Sequence, residues 1–333
     1  GSSGFPKGVA LTGAQLKASA EAHHSRFPNH TWLLSIPPYH IGGFSILSRA
    51  HFSDLPFALS SAKAKEILVR MQAGGVDGIS LVPTQLEKLL ALVNGSASIP
   101  LKAVLLGGAR AGESLLVRAK DWPIFLTYGM TETASQCATA TSPFSPLEPL
   151  PQYEFRLRTD GELLVRGPSL ANGYFVQGGL QPLPQVDGFF PTGDLGQPIS
   201  PNSQAEKQLG RFAILGRKSD RIQTGGMKLF PQEIEEKLKN LSSMFSDFGV
   251  CAIPDPLWGE AICLAYVAND KAANAEKIEE TVRNFLSQVL DKKLLPKHLL
   301  PLEKIPRTES GKIQRQELSF MVSALLQKKS ERI

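Results

Sequence analysis

Between residues 61 and 130, short apolar runs alternate with segments of helical period, and no other stretch restricts the possible folds as much. Ala64 to Ala73 reads as a helix and leads to the strand Gly78-Ile79-Ser80-Leu81-Val82. The next helix follows Pro83 and carries Leu86, Leu89, Leu90 and Val93. Ala103-Val104-Leu105-Leu106 is a strand ending in Gly107-Gly108; a helix from Ser114 to Lys120 then precedes the strand Ile124-Phe125-Leu126-Thr127. Strands this short and this uniformly apolar, separated by amphipathic helices, indicate βαβ units and a largely parallel sheet. Ligands of such sheets bind beyond the carboxyl ends of the strands. That rule sets Gly107, Gly108 and Tyr128-Gly129-Met130-Thr131-Glu132 along one rim.

The flanking regions have a different character. Thr12 is a candidate N-cap for a helix with Leu16, Ala20 and His23 on one side, and Thr31 to Ile36 reads as a buried strand stopped by Pro37-Pro38. After residue 140, prolines and glycines punctuate short strand-like runs such as Gly161 to Val165, which predicts a small β-rich layer. A third regime starts near Gly216, with helices at 231–240 and 275–290 and strands at 249–253 and 262–268. A last helix from about 313 places Leu318, Val322, Leu325 and Leu326 on one face. The expected fold is therefore α/β. A large N-terminal domain, 1–218, has a mainly parallel sheet and a β-rich subdomain at about 141–218, and a small mobile α+β C-terminal domain follows at 219–333. A chain of 333 residues is long enough for two domains.

Composition excludes several classes. No apolar run approaches the length of a membrane span. Cys137, Cys251 and Cys263 are far apart with no C-x-x-C pair, which points to buried free thiols in a reducing cytoplasm rather than a metal site or disulfide framework. The formal charge of +5 suits a polyanionic ligand such as a nucleotide. The basic residues are scattered and not interleaved with aromatics, which argues against nucleic acid.

The first residues, Gly1-Ser2-Ser3-Gly4-Phe5-Pro6-Lys7-Gly8, have the composition of a phosphate-binding loop. Small residues let backbone N–H groups approach phosphate oxygens, and a lysine adds a mobile cation. Lys7 is followed by Gly8 rather than Ser or Thr, so the segment is neither a Walker A loop nor a G-x-G-x-x-G fingerprint. Gly-Ser-Ser-Gly is also what a cloning scar looks like, and the segment alone leaves both readings open.

Five unusual segments follow in order: this loop, Tyr128-Gly129-Met130-Thr131-Glu132-Thr133, Pro191-Thr192-Gly193-Asp194-Leu195, Gly216-Arg217-Lys218-Ser219-Asp220, and Pro306-Arg307-Thr308-Glu309-Ser310-Gly311-Lys312-Ile313-Gln314-Arg315. The series closely resembles the adenylate-forming family of acyl-CoA synthetases, amino-acid adenylation domains and luciferases, over nearly the whole chain. The resemblance implies an enzyme that adenylates a carboxylic acid with ATP and Mg²⁺ and passes the acyl group to coenzyme A. Because a carboxylate must attack the α-phosphorus, catalysis consists mainly of positioning and positive charge.

The resemblance also implies roles. Ser2, Ser3, Gly4 and Lys7 hold the β- and γ-phosphates. Gly107, Tyr128 and Gly129 line the nucleotide, with Tyr128 offering a flat face to adenine or serving only as a strand-end aromatic. Thr131 bonds a phosphate and Glu132 holds Mg²⁺. Asp194 and Arg217 reach the ribose, or act as a cap and a surface ion pair. Lys312 is the catalytic lysine of adenylation. The hinge of the C-terminal domain falls at Ser219 or Asp220, and Gly225-Gly226 line the pantetheine path or form a β-turn.

For the acid, the resemblance implies an acyl pocket built from the segment Pro37 to Gly43, the Leu106-Gly107-Gly108-Ala109 turn and the residues after Glu132. Their spelling most resembles the o-succinylbenzoate–CoA ligase subgroup of menaquinone biosynthesis. That assigns His40, Gly43, Gly108 and Ser135 to the substrate, His40 being equally readable as a structural histidine. Arg49 is the partner of the acid's distal carboxylate, or a support of the domain interface. The chain departs from that subgroup at Gly225-Gly226-Met227-Lys228-Leu229, where relatives read Gly-Gly-Glu-Asn-Ile, and at Gln223, where a lysine is common. In the family a whole subdomain precedes the phosphate loop. The expectation is either upstream residues that precede this loop or a shortened, catalytically weakened chain, with a homodimer or the missing N-terminal segment as the candidate protein partner. Other aryl- or acyl-CoA ligases and a nucleotide-binding remnant without turnover are the alternatives.

Overall fold

The computed structural model describes residues 7–93, 100–199, 208–270, 274–308 and 311–330. The chain forms two compact units, Gly1–Leu215 and Gly216–Ile333.

In the first unit the alternation seen in the sequence becomes a parallel sheet. Its strands lie in the order Phe57–Leu59, Trp32–Leu34, Gly78–Leu81, Ala103–Leu106 and Ile124–Met130. Successive residues of a strand face opposite sides. Leu33, Ile79, Leu81, Val104 and Leu106 therefore bury one face against Ile67, Met71, Leu86, Leu89 and Leu115. These belong to the helices Ala64–Gln72, Pro83–Leu92 and Glu113–Arg118. Trp32, Leu34, Ala103 and Leu105 pack the other face with Phe27 and Ile46. The local signals explain the ends. Thr12 caps the helix Gly13–Arg26 in a box with Gln15, and Pro83 stands in the first turn of its helix, where its missing N–H has no partner to lose.

The helix Ile41–Ser53 is not marked in the sequence, because Gly42 and Gly43 weaken the helical signal in its first turn. Packing requires Gly43. A Cβ there would lie 2.3 Å from the Pro37 carbonyl oxygen and 2.4 Å from that of Ile36.

The strand Ile124–Met130 runs three residues beyond its predicted end. Its first half pairs parallel with Val104 to Leu106, and its second half pairs antiparallel with Ser135–Ala140. The β-rich layer expected after residue 140 is thus continuous with the parallel sheet. It proceeds through Leu147–Pro149, Phe212–Arg217, Phe190–Pro198, Glu162–Arg166 and Glu154–Leu157, closing an eleven-stranded sheet. Phe155, Leu163, Val165, Phe190 and Phe212 form its core. A separate three-stranded sheet joins Gly8–Ala10 to Gly173–Val176 and Gly179–Pro182.

The second unit is built on the long antiparallel pair Phe245–Asp255 and Gly259–Ala268. His298–Pro301 runs parallel to the latter, which also pairs with the hairpin Ile222–Thr224/Met227–Leu229 through Thr224 and Gly259. Helices Pro231–Leu238 and Ala275–Val289 cover one face through Ile234, Leu238, Ile278, Val282 and Leu286. The helix Arg315–Ser330 covers the other through Leu318, Val322 and Leu326. Leu325, expected on the same face, stands at its edge and is 36% exposed.

The tightest backbone approach in the sheet lies where Ile124–Met130 meets Ser135–Ala140: a Cβ on Gly129 would fall 1.9 Å from the Ser135 carbonyl oxygen. Gly129→Ala is expected to force the two strands apart, destabilising the first unit by about 1–3 kcal/mol as overpacking does. Thermal denaturation of the variant against wild type measures it.

Candidate active site

Lys7 is the first described residue of the glycine-rich loop; Ser2, Ser3 and Gly4 lie outside the described residues. The strand that follows, Gly8–Ala10, pairs with Gly173–Val176 in the register Val9 to Tyr174. This carries the lysine onto the aromatic ring: Lys7 Nζ stands 5.2 Å from the Tyr174 centroid, within cation–π range. The Tyr174 hydroxyl in turn donates to Glu132 Oε1 at 2.8 Å, and the Glu132 carbonyl accepts from the Ala171 N–H at 2.8 Å. Lys7, Tyr174 and Glu132 therefore form one connected row, joining the loop to the turn after Met130.

That turn is a single 3₁₀ turn, Thr131–Thr133, followed by Ala134 and Ser135 at φ of 51° and 95°. Two consecutive non-glycine residues in the left-handed region are strained and persist only where the surroundings over-determine them. Here they do. Thr133 Oγ1 accepts from the Met130 N–H at 3.0 Å and donates to the Ser135 carbonyl at 2.7 Å. The Ala134 carbonyl accepts from Ser19 Oγ at 2.8 Å and the Thr133 carbonyl from Ser169 Oγ at 2.7 Å. Thr131 is left exposed at the head of the turn, and Ser135 begins the next strand.

Tyr128 projects from the same strand toward Asp194. Its hydroxyl donates to Asp194 Oδ2 at 2.7 Å, and its ring packs against Phe155 and Phe212 with centroids 6.3 and 6.4 Å away. Burial, with the Asp194 carboxylate beside it, raises the phenol well above its ordinary value and keeps it a neutral donor. Asp194, 6% exposed, is itself fixed by its N–H donating to Thr192 Oγ1 at 3.1 Å. Burial pushes the neighbouring Cys137 thiol up to about 12, so it is a packing group without nucleophilic character at neutral pH.

The three segments expected to enclose the acid belong to adjoining elements of this unit. Pro37 to His40 follow the carboxyl end of Trp32–Leu34, and the His40 carbonyl opens the helix Ile41–Ser53 by accepting from the Phe44 N–H at 2.9 Å. Gly107 and Gly108 follow Ala103–Leu106; Gly107 lies against Thr127, and Gly108 takes a φ of 76°. Gln136, beside Ser135, meets Arg49 of the helix and His23 of Gly13–Arg26. Arg49 Nη2 donates to Gln136 Oε1 at 3.4 Å, and His23 Nδ1 lies 2.9 Å from the same oxygen. Arg49 is 5% exposed; its Nε and Nη1 are buried with no acceptor, and no carboxylate among the described residues pairs with it. Burial pulls its guanidinium down to about 9.

The remaining candidates belong to the second unit. Arg217 is exposed at the end of Phe212–Arg217. Lys312 is exposed on a turn in which Gly311 takes a φ of 85° and Thr308 bonds the Lys312 backbone at both N–H and carbonyl. Arg307 anchors the turn, bonding Asp247 at 2.6 and 2.9 Å and the Gly311 carbonyl at 2.7 Å. Gly225 and Gly226, at φ of 54° and 82°, are the two central residues of a hairpin turn that only glycine enters without strain. Gly225 also abuts Trp258: a Cβ would come within 2.8 Å of the indole, over which Lys297 Nζ lies 4.0 Å from the centroid. Tyr174, Trp258 and Lys297 carry no local signal in the sequence. His23 gave one, a histidine on the buried side of a predicted helix.

The AMP-binding enzyme family model matches residues 1–175, and the AMP-binding enzyme C-terminal domain matches residues 233–312. The chain belongs to the AMP-binding enzyme family. Among relatives in this family, a 2-succinylbenzoate–CoA ligase of Listeria monocytogenes serotype 4b (strain F2365) is 32% identical over 331 residues, covering 96% of this chain and 68% of that protein. One of Bacillus thuringiensis subsp. konkukian (strain 97-27) is 32% identical over 347 residues, covering 98% and 69%. The o-succinylbenzoate coenzyme A synthetase of Bacillus subtilis, solved with the acyl-adenylate intermediate OSB-AMP, superposes with a TM-score of 0.82 at 28% identity. That match covers 96% of this chain and 67% of the other. The same enzyme with ATP and magnesium ion gives 0.80 at 27% identity, over 96% and 68%. The chain spans about two thirds of the length of the relatives it matches.

Burial and the nearby Arg49, with smaller contributions from His30 and His24, hold the His23 imidazole well below its ordinary value, so it is neutral in the fold. The unfolded chain takes up a proton below about pH 6.5 while the folded one does not, so stability falls as pH drops through that value. Its contribution is complete above about pH 6.5 and lost by at most about 1.4 kcal/mol per pH unit below. The difference in denaturation midpoint between wild type and His23→Asn, followed from pH 7 to 5, is expected to change in wild type's disfavour.

Proposed function

We propose that the chain is an ATP-dependent, AMP-forming acid–coenzyme A ligase whose acid is o-succinylbenzoate. The observation that carries the ligase reading is the row Lys7–Tyr174–Glu132, in which a cation and a carboxylate contact the same tyrosine, one at its ring and one at its hydroxyl. Lys7, with Ser2, Ser3 and Gly4, takes the β- and γ-phosphates, and Thr131 adds a hydroxyl. The donor set suits Mg²⁺, which binds through one or two carboxylates together with substrate phosphates. Glu132 is such a carboxylate, with Oε1 already oriented by Tyr174. The ion, when bound, neutralises phosphate charge. Asp194, oriented by Tyr128, receives the ribose hydroxyls, with Arg217 as their second partner. The adenine lies along the strand-end residues Tyr128 and Gly129 and the Gly107 turn.

The acid carries two carboxylates. One attacks the α-phosphorus and displaces pyrophosphate; the other stays anionic and needs a cation. Arg49, a buried guanidinium with no carboxylate partner among the described residues, supports that assignment, with His40, Gly43, Gly108 and Ser135 as the surrounding wall. Lys312, on its anchored glycine turn, supplies the charge that offsets the approach of the carboxylate to the phosphate. The second unit acts as the mobile domain, with its hinge in the turn Lys218–Asp220, and Gly225-Gly226 beside Trp258 admit the pantetheine arm of coenzyme A. Three buried free thiols suit the cytoplasm.

The test is the recombinant chain with ATP, Mg²⁺, o-succinylbenzoate and coenzyme A, read as pyrophosphate and thioester. No product with intact nucleotide binding would favour the non-catalytic adenylate-binding alternative. Lys312→Ala is expected to slow adenylation about 10²–10³-fold, as loss of a transition-state donor does, with ATP affinity nearly unchanged. Arg49→Ala is expected to weaken o-succinylbenzoate binding about 10²-fold, in line with the ~2–5 kcal/mol lost when a buried charge pair is broken.

A further inference from the structure

We propose that His23 and Gln136 are positioning residues that hold the Arg49 guanidinium ready for the acid's second carboxylate. The proposal rests on the o-succinylbenzoate reading above. A guanidinium taken out of water and left without an anion is costly, and its remaining hydrogen bonds decide where it points. Among the described residues Arg49 has one: Nη2 to Gln136 Oε1, at 3.4 Å, while Nε and Nη1 are buried and find no acceptor there. The orientation of the Gln136 amide is therefore what orients the cation.

Two contacts set that amide. Gln136 Nε2 donates to Thr139 Oγ1 on its own strand, which turns Oε1 toward the helices. His23 Nδ1 lies 2.9 Å from Oε1, and since that oxygen only accepts, Nδ1 carries the proton and donates. The ring cannot turn away freely: it is packed against Phe27 and Trp32 with centroids 5.1 and 4.9 Å away, and the residue is 2% exposed. Three elements thus meet at one oxygen, His23 from Gly13–Arg26, Arg49 from Ile41–Ser53 and Gln136 from Ser135–Ala140. An apolar ring at position 23 would fill the same space but leave the amide free to flip, and a flipped amide presents Nε2 donors to the Arg49 cation. His23 acts through the amide and not by touching the acid.

The test is calorimetric binding to the full chain of o-succinylbenzoate and of two monoacids that each lack one of its carboxylates, benzoylpropanoate and o-butanoylbenzoate. The readout is the preference for the diacid over the tighter-binding monoacid. Wild type is expected to prefer the diacid, and Arg49→Ala to lose the preference. His23→Phe should reduce it about tenfold, the equivalent of one hydrogen bond near ~1.4 kcal/mol, leaving monoacid affinity unchanged. His23→Asn, whose amide N–H can stand where Nδ1–H stands, should keep it within about threefold of wild type. A purely structural histidine would shift diacid and monoacid affinities together and would show no rescue by Asn. Gln136→Glu, which offers Arg49 a carboxylate in place, should also reduce the preference at least tenfold, and it decides the matter if His23→Phe does not fold. A preference unchanged in His23→Phe, or in Gln136→Glu, while Arg49→Ala abolishes it, overturns the positioning role and leaves Arg49 as the acid's partner. A preference absent from wild type, or unchanged in Arg49→Ala, overturns the reading of Arg49 and the proposal with it.

Discussion

The antiparallel pairing of Tyr128–Met130 with Ser135–Ala138 leaves no room for a side chain at Gly129 and sends the chain back on itself through four residues. That reversal places Ala134 and Ser135 in the left-handed region, and four side-chain or backbone hydrogen bonds hold them there. Three of the contacts proposed to serve the nucleotide and the acid branch from it. Tyr128 leaves one side of the strand toward Asp194, Glu132 leaves the turn toward Tyr174 and Lys7, and Gln136 leaves the returning strand toward Arg49 and His23. Strain concentrated in one turn and absorbed by its surroundings is a familiar way to aim several groups at one place.

Charge follows the same plan. The buried titratable groups around the turn are neutral: burial raises the Tyr128 phenol and the Cys137 thiol and lowers the His23 imidazole. The groups assigned to anions are cations, and they differ in solvation. Lys7 and Lys312 are exposed, suited to triphosphate and to a charge that arises during reaction, whereas Arg49 is buried, suited to a fixed carboxylate. A desolvated guanidinium rewards an anion far more than an exposed one does, which is the physical ground for the proposal that position 49 selects an acid with a second carboxylate.

Much of this was legible in the sequence. The parallel strands, the helices between them, the Thr12 cap and the Pro83 start follow from periodicity and capping chemistry, which act within a few residues. The helix Ile41–Ser53 was not legible, because Gly42-Gly43 in its first turn carry weak helix propensity; Gly43 is there because the backbone of Ile36 and Pro37 passes within a Cβ's reach. The β-rich layer was foreseen as a separate feature. Its continuity with the parallel sheet was not, since a strand that changes partners midway has no local signature.

The sequence by itself determined the chemistry available: a glycine-rich loop with Lys7, the Tyr128-to-Glu132 segment, Asp194, Arg217 and the Gly311-Lys312 turn, in an order that also fixed the family. These are properties of residue type and spacing, and survive without coordinates. Only the tertiary structure decided which residues serve them. Tyr174 lies 42 residues from Glu132, and Gln136 lies 113 residues from His23 and 87 from Arg49. Hydrogen bonds across such separations depend on strand register and helix packing, which the whole fold sets and no local stretch encodes.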